Sequence, residues 1–153
     1  MLQAFCNHVT ATDTAAFRIL LAEDNPGDVL LFREALKTGD FRSELMVAED
    51  GQQAITLVEA AASGGLRPDL IVLDVNLPKH NGDEVLRHIR NEPALAGVPV
   101  MMLTSSASPA DQAIAVDLGV DLYLQKPSDL ETLLGIGKII GTILSRNGAA
   151  TAV

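Results

Sequence analysis

Four short apolar runs of this sequence stop at residues able to do chemistry. Ile19-Leu20-Leu21-Ala22 runs into Glu23-Asp24, and Leu70-Ile71-Val72-Leu73 into Asp74. Val100-Met101-Met102-Leu103 ends in Thr104, and Leu122-Tyr123-Leu124-Gln125 in Lys126. Three carboxylates brought within a few Å would repel and have raised pKa values. A hard divalent cation relieves that repulsion, and oxygen-only ligands suit magnesium. No His or Cys stands at these ends, which argues against zinc or copper. Lys126 adds a fixed positive charge and Thr104 a hydroxyl donor. With Asp74 as nucleophile, these are the parts needed to hold a transferring phosphoryl group, whose charge spreads over three oxygens. Neither common glycine-rich phosphate loop is present, so bound ATP is not expected.

These groups are scattered over about a hundred positions, so the elements around them must bring them together. The run Leu70 to Leu73, bounded by Arg67-Pro68-Asp69 and by Pro78-Lys79-His80-Asn81-Gly82, reads as a strand buried on both faces. Strands are expected at Phe17 to Ala22, Leu45 to Ala48, Leu70 to Leu73, Val100 to Thr104 and Asp121 to Gln125. Helical stripes follow each: one opened by Asn25-Pro26 and closed near Gly39, one ending at Gly64-Gly65, one over Asp83 to Arg90, one over Pro109 to Leu118, and a last from Leu130 to Leu144. This alternation specifies an α/β fold with a doubly wound, five-stranded parallel sheet and helices on both faces. Right-handed crossovers put every strand's carboxyl end on one edge, where such sheets bind ligands.

The whole chain bounds the answer further. Its 153 residues suit one domain, expected over residues 18–146, after a leader over 1–17 and before a flexible tail over 147–153. A formal charge of −9 disfavours nucleic acid and anionic membrane as partners. The single cysteine, Cys6, forms no intramolecular disulfide and has no metal-site spacing, and Cys6 and His8 are read as passengers. With no apolar run near the roughly 18 residues of a membrane span and no secretory signal, the expected compartment is the cytoplasm.

Four separated motifs are more specific still. Ile19-Leu20-Leu21-Ala22-Glu23-Asp24-Asn25-Pro26, the segment from Leu73 to Gly82, Leu103-Thr104-Ser105-Ser106 and Tyr123-Leu124-Gln125-Lys126-Pro127 resemble the receiver domain of two-component response regulators, over roughly Phe17 to Arg146. The Leu77-Pro78-Lys79 segment with Gly82, and Asn25-Pro26 with Asp28, look most like the stand-alone regulators partnered with bacterial phytochrome kinases. The resemblance implies a flavodoxin-like strand order 2-1-3-4-5, and a protein that accepts a phosphoryl group on Asp74 from a kinase phosphohistidine rather than an enzyme acting on other substrates. It implies Mg2+, replaceable by Mn2+ or Ca2+, on Glu23, Asp24, Asp74 and the backbone carbonyl of Asn76. Thr104 and Lys126 would bind the phosphoryl oxygens, Tyr123 would follow Thr104 inward, and the Lys126–Pro127 bond would be cis. Glu23 stands where the commonest pattern has aspartate, and its extra methylene leaves room for it to act through water.

Two other functions compete: a receiver-like binding module that ignores phosphorylation, and a small magnesium-dependent phosphohydrolase. Against the second, Asn76 stands where a second acid would be needed, two residues after Asp74. The last helix carries an apolar stripe wider than one buried face needs, with Leu133, Ile136, Ile140 and Ile143 among its members. That width suggests a homodimer through this helix. No output domain is expected after it, so a downstream protein would have to read the signal.

Overall fold

The side chains of a strand alternate between two faces, so each apolar strand here needs cover on both sides. The structure, a computed structural model, describes residues 16–152, with side chains as far as Arg146. Most of the expected leader, including Cys6 and His8, therefore lies outside the described residues. The chain runs β1 (Phe17–Ala22), α1 (Pro26–Leu36), β2 (Ser43–Ala48), α2 (Gly51–Ala62), β3 (Leu70–Leu73), α3 (Gly82–Arg90), a 3-10 turn (Pro93–Leu95), β4 (Val100–Thr104), α4 (Pro109–Asp117), β5 (Leu122–Gln125), α5 (Leu130–Leu134) and α6 (Ile136–Ala152). All strands pair in parallel, in the order β2-β1-β3-β4-β5.

Alternation along the strands builds two cores. Leu20, Ala22, Ile71, Leu73 and Met102 face one way, onto Ala54, Ile55 and Val58 of α2 and Val85, Leu86 and Ile89 of α3. Ile19, Leu21, Leu70, Val72 and Met101 face the other, onto Phe32 and Leu36 of α1 and Ile136, Ile140 and Leu144 of α6. The helix starts are written locally. Asn25 caps α1, Asp50 caps α2, and Asn81 with Glu84 forms a reciprocal capping box on α3.

Three expectations about the end of the chain are corrected. The last helix is two helices, interrupted at Gly135, and there the Thr38 hydroxyl reaches the Leu134 carbonyl at 2.6 Å as well as the Ala35 carbonyl at 2.8 Å. Lys138 N–H, which would take the Leu134 carbonyl in an unbroken helix, bonds Gly135 instead at 3.1 Å. α6 then continues to Ala152, beyond the expected end at Leu144. Ile136 and Ile140 are 2% and 0% exposed, buried within the subunit, so they are not surface members of an interface. Each such side chain contributes about 1.5–3 kcal/mol through its removal from water. α6 seats closely because Gly137 lies on the carbonyl of Ala35, where any Cβ would collide. Leu133 and Ile143 are partly buried against the same core. Among the described residues, no helix is long and apolar enough to cross a membrane.

Candidate functional site

The strand order makes neighbours of the chemically able strand ends. Ala22 pairs with Leu73 and Leu73 with Met102, so Glu23 and Asp74 leave the sheet side by side, with β4 on the far flank of β3. Thr104 pairs with Gln125, and the Lys126 N–H donates to the Thr104 carbonyl at 2.7 Å. Backbone register thus brings Glu23, Asp74, Thr104 and Lys126 to one edge.

The side chains complete the arrangement. Carboxylate oxygens of Glu23, Asp24 and Asp74 all lie within 4.8 Å of one another. Glu23 and Asp74 are buried, Asp24 exposed. The Lys126 ammonium donates to Glu23 Oε1 at 2.7 Å, Asp28 Oδ2 at 2.8 Å and Asp74 Oδ2 at 3.3 Å. Asp74 Oδ1 accepts from the Asn76 N–H at 3.2 Å. Burial pushes the Glu23 carboxyl above its ordinary range, although the bond from Lys126 opposes this. Burial alone would lower Lys126, but its bonds to Asp28 and Glu23 and the charge of Asp74 outweigh that and hold it well above the usual lysine range. One lysine thus faces three acids and, with Asp24, a fourth negative charge at the edge. A hard cation fits that surplus and that all-oxygen donor set.

The neighbouring loops hold these groups in position. The β3–α3 loop turns at Lys79, whose φ of 71° lies in the left-handed region that costs a non-glycine residue about 1–2 kcal/mol. Lys79 Nζ pairs with Asp50 Oδ2 at 3.2 Å, tying this loop to the start of α2. Gly82 brings α3 so close to the Asp74 carbonyl that a Cβ would overlap it. Thr104 is fully buried, its hydroxyl accepting from the Ser106 N–H at 3.1 Å. Tyr123 is half-buried on β5, where it pairs with Met102, and its hydroxyl is out of water without a well-formed hydrogen bond. The nearby Ser106 hydroxyl instead donates to Asp111 at 2.7 Å. Burial, and then the charge of Asp111, push the Tyr123 hydroxyl pKa up.

Against the sequence reading, Glu23, Asp24, Asp74 and Lys126 come together as expected, and Thr104 joins them through the β4–β5 ladder. Glu23 uses its extra methylene to bond Lys126 directly. The Lys126–Pro127 bond is trans, as are all described peptide bonds, which corrects the expected cis bond. The long lysine side chain spans to the carboxylates from a trans backbone, the isomer that a free X–Pro bond already favours by about 0.5–1 kcal/mol. Sequence reasoning gave Asp28 no role at the site. The available signal was its place in the first turn of a helix that opens on Asn25, four positions after Asp24.

A family model for the response regulator receiver domain matches residues 19–136. Response regulator Rcp1 of Synechocystis sp. is 39% identical over 117 residues, which cover 75% of this chain and 80% of that protein. The phosphorylated cyanobacterial phytochrome response regulator RcpA superposes with a TM-score of 0.75 at 38% identity, covering 82% of this chain and 91% of that one. The Mn2+-bound form of Rcp1 gives 0.74 at 37% identity, covering 82% and 92%. Strand order, edge geometry and sequence therefore agree: this chain belongs to the response regulator receiver-domain family.

Proposed function

We propose that Asp74 takes a phosphoryl group from a phosphohistidine of a sensor histidine kinase of the bacterial phytochrome kind. The observation that carries this reading is Lys126, bonded to both Glu23 and Asp74 inside a cluster of three carboxylates at the sheet edge. A carboxylate oxygen of Asp74 bonds phosphorus as the donor's phosphorus–nitrogen bond breaks, its electron pair staying on the imidazole. Lys126 then binds a phosphoryl oxygen. The Thr104 hydroxyl, freed from the Ser106 N–H, turns to donate to another, and Tyr123 follows into the space that Thr104 leaves. A local charge change thus biases the face built from α4, β5 and α5, and that face binds a downstream protein.

Mg2+, or Mn2+ or Ca2+ in its place, would be held by Glu23, Asp24, Asp74 and the Asn76 carbonyl, and supplies charge neutralisation for the phosphoryl oxygens. Support comes from the oxygen-only donor set and from the Mn2+-bound form of Rcp1. Intact-mass spectrometry after incubation with acetyl phosphate and Mg2+ tests acceptor and cation together. One phosphoryl adduct is expected, lost with Asp74→Asn and lost with a chelator; an adduct that survives Asp74→Asn would overturn the assignment.

Homodimerisation belongs to the same proposal, moved from the buried stripe to the outer side of α6. There Ile139 is 40% exposed and Ile143 partly so, beside Leu122 of β5. Sedimentation is expected to show a dimer that Ile139→Asp dissociates. A monomer at high concentration in both phosphorylation states would end that proposal.

A further inference from the structure

Lys126 has one more carboxylate around it than the phosphoryl chemistry uses. An ammonium carries three N–H donors, and Glu23, Asp28 and Asp74 occupy them at 2.7, 2.8 and 3.3 Å. Glu23 and Asp74 belong to the cluster that would hold the cation; Asp28 stands outside it. It reaches the lysine from the first turn of α1, where the Asn25 side chain fixes the helix start by accepting from the Gly27 and Asp28 N–H groups.

The three partners differ in what losing the lysine would cost them. The side chains of Glu23 and Asp74 are 5% and 7% exposed, that of Asp28 37%. Glu23 is buried and keeps either the lysine or the cation as its partner, whereas Asp28 can pass to water. A cavity of about 80 Å³ opens beside the pair, walled by Leu21, Phe32, Leu103 and Pro127, and gives the groups room to part. Phosphorylation removes the Asp74 carboxylate charge and places more negative charge on the phosphoryl oxygens, which then compete with Asp28 for the ammonium.

We propose that Asp28 is a positioning residue. It holds Lys126 in the unphosphorylated protein, competes with the incoming phosphoryl group, and so sets how readily Asp74 is phosphorylated. This rests on Asp74 being the acceptor.

The test is a titration with acetyl phosphate and Mg2+, read as adduct by intact mass; Asp74 forms its bond to phosphorus as acetate leaves. Asp28→Asn, nearly isosteric and neutral, is expected to lower the half-maximal acetyl phosphate concentration by roughly 1.5- to fivefold, the range of a partly exposed ion pair. In a Lys126→Gln background the same change is expected to do nothing, because the competitor acts only through the lysine. Glu49→Gln, which removes an exposed acid from the same edge, controls for net charge and is expected to leave the half-point unchanged. Urea unfolding of the four proteins of the Asp28–Lys126 cycle with chelator present gives a readout without the cation, and coupling between the two residues is expected there. No shift in Asp28→Asn, an equal shift in Glu49→Gln, an undiminished shift without Lys126, or no coupling in urea would each overturn the proposal. A wild-type protein that takes up no phosphoryl group refutes the acceptor assignment itself, a distinct failure that removes this inference with it.

Discussion

The centre of the sheet and its β5 edge are built to different standards. Every residue of β3 is buried, and so are the last four of β1. β5 has no buried residue, α4 buries only Ala115, and α5 buries none. The acids follow the central strands, while Lys126 and Tyr123 belong to the edge. Chemistry at a carboxylate needs groups held to a fraction of an ångström, which a packed core supplies. A response to that chemistry needs elements whose opening costs little, which shallow packing supplies. The molecule separates the two by depth, and Lys126 joins them.

The widest expected gap between the two regions is in stability. Ile71→Ala, at a fully buried position of β3, is expected to cost about 2–5 kcal/mol in urea unfolding. Val116→Ala, at a 60% exposed position of α4, is expected to stay within about 0.5 kcal/mol. Similar losses at both sites would break the contrast.

A smaller effect, in pH, sharpens the contrast at the centre. The Glu23 carboxyl titrates above its ordinary range because it is buried, so in the folded chain it takes up a proton at a pH where the unfolded chain does not. The cation-free protein is therefore expected to gain stability as pH falls through that raised value toward the unfolded value of about 4.3. Mg2+ affinity is expected to weaken over the same window, beginning above the pH at which an ordinary glutamate protonates. Calorimetric Mg2+ titrations set beside urea unfolding at each pH check both, and Glu23→Gln is expected to remove the Glu23 part of each dependence.

Much of this was legible in the sequence because it is local. The four-residue apolar run before Asp74, the Asn25-Pro26 helix start and the alternation of strand and stripe are short-range patterns, and parallel topology follows from them through chain handedness. Gathering strand ends on one edge then brings together Glu23, Asp24, Asp74, Thr104 and Lys126 without any knowledge of side-chain contacts. The β5 side was less legible. The stripe of α6 is wide enough to fit several rotations about the helix axis, and only docking against Ala35 and Phe32 selects Ile136 and Ile140 as the inward ones. The break before Ile136 was equally hidden, since the Leu134 carbonyl beside it is met by the Thr38 hydroxyl, 96 positions away.

By itself the sequence determined the strands, their shared edge, and the acids, hydroxyl and lysine that stand there, because periodicity and capping act within a few residues and the chirality of the chain does the rest. Only the tertiary structure decided which carboxylates share Lys126, that Asp28 is among them, and which side of α6 is left outside. Those outcomes depend on distances between side chains far apart in the chain, and such distances are set by packing rather than by pattern.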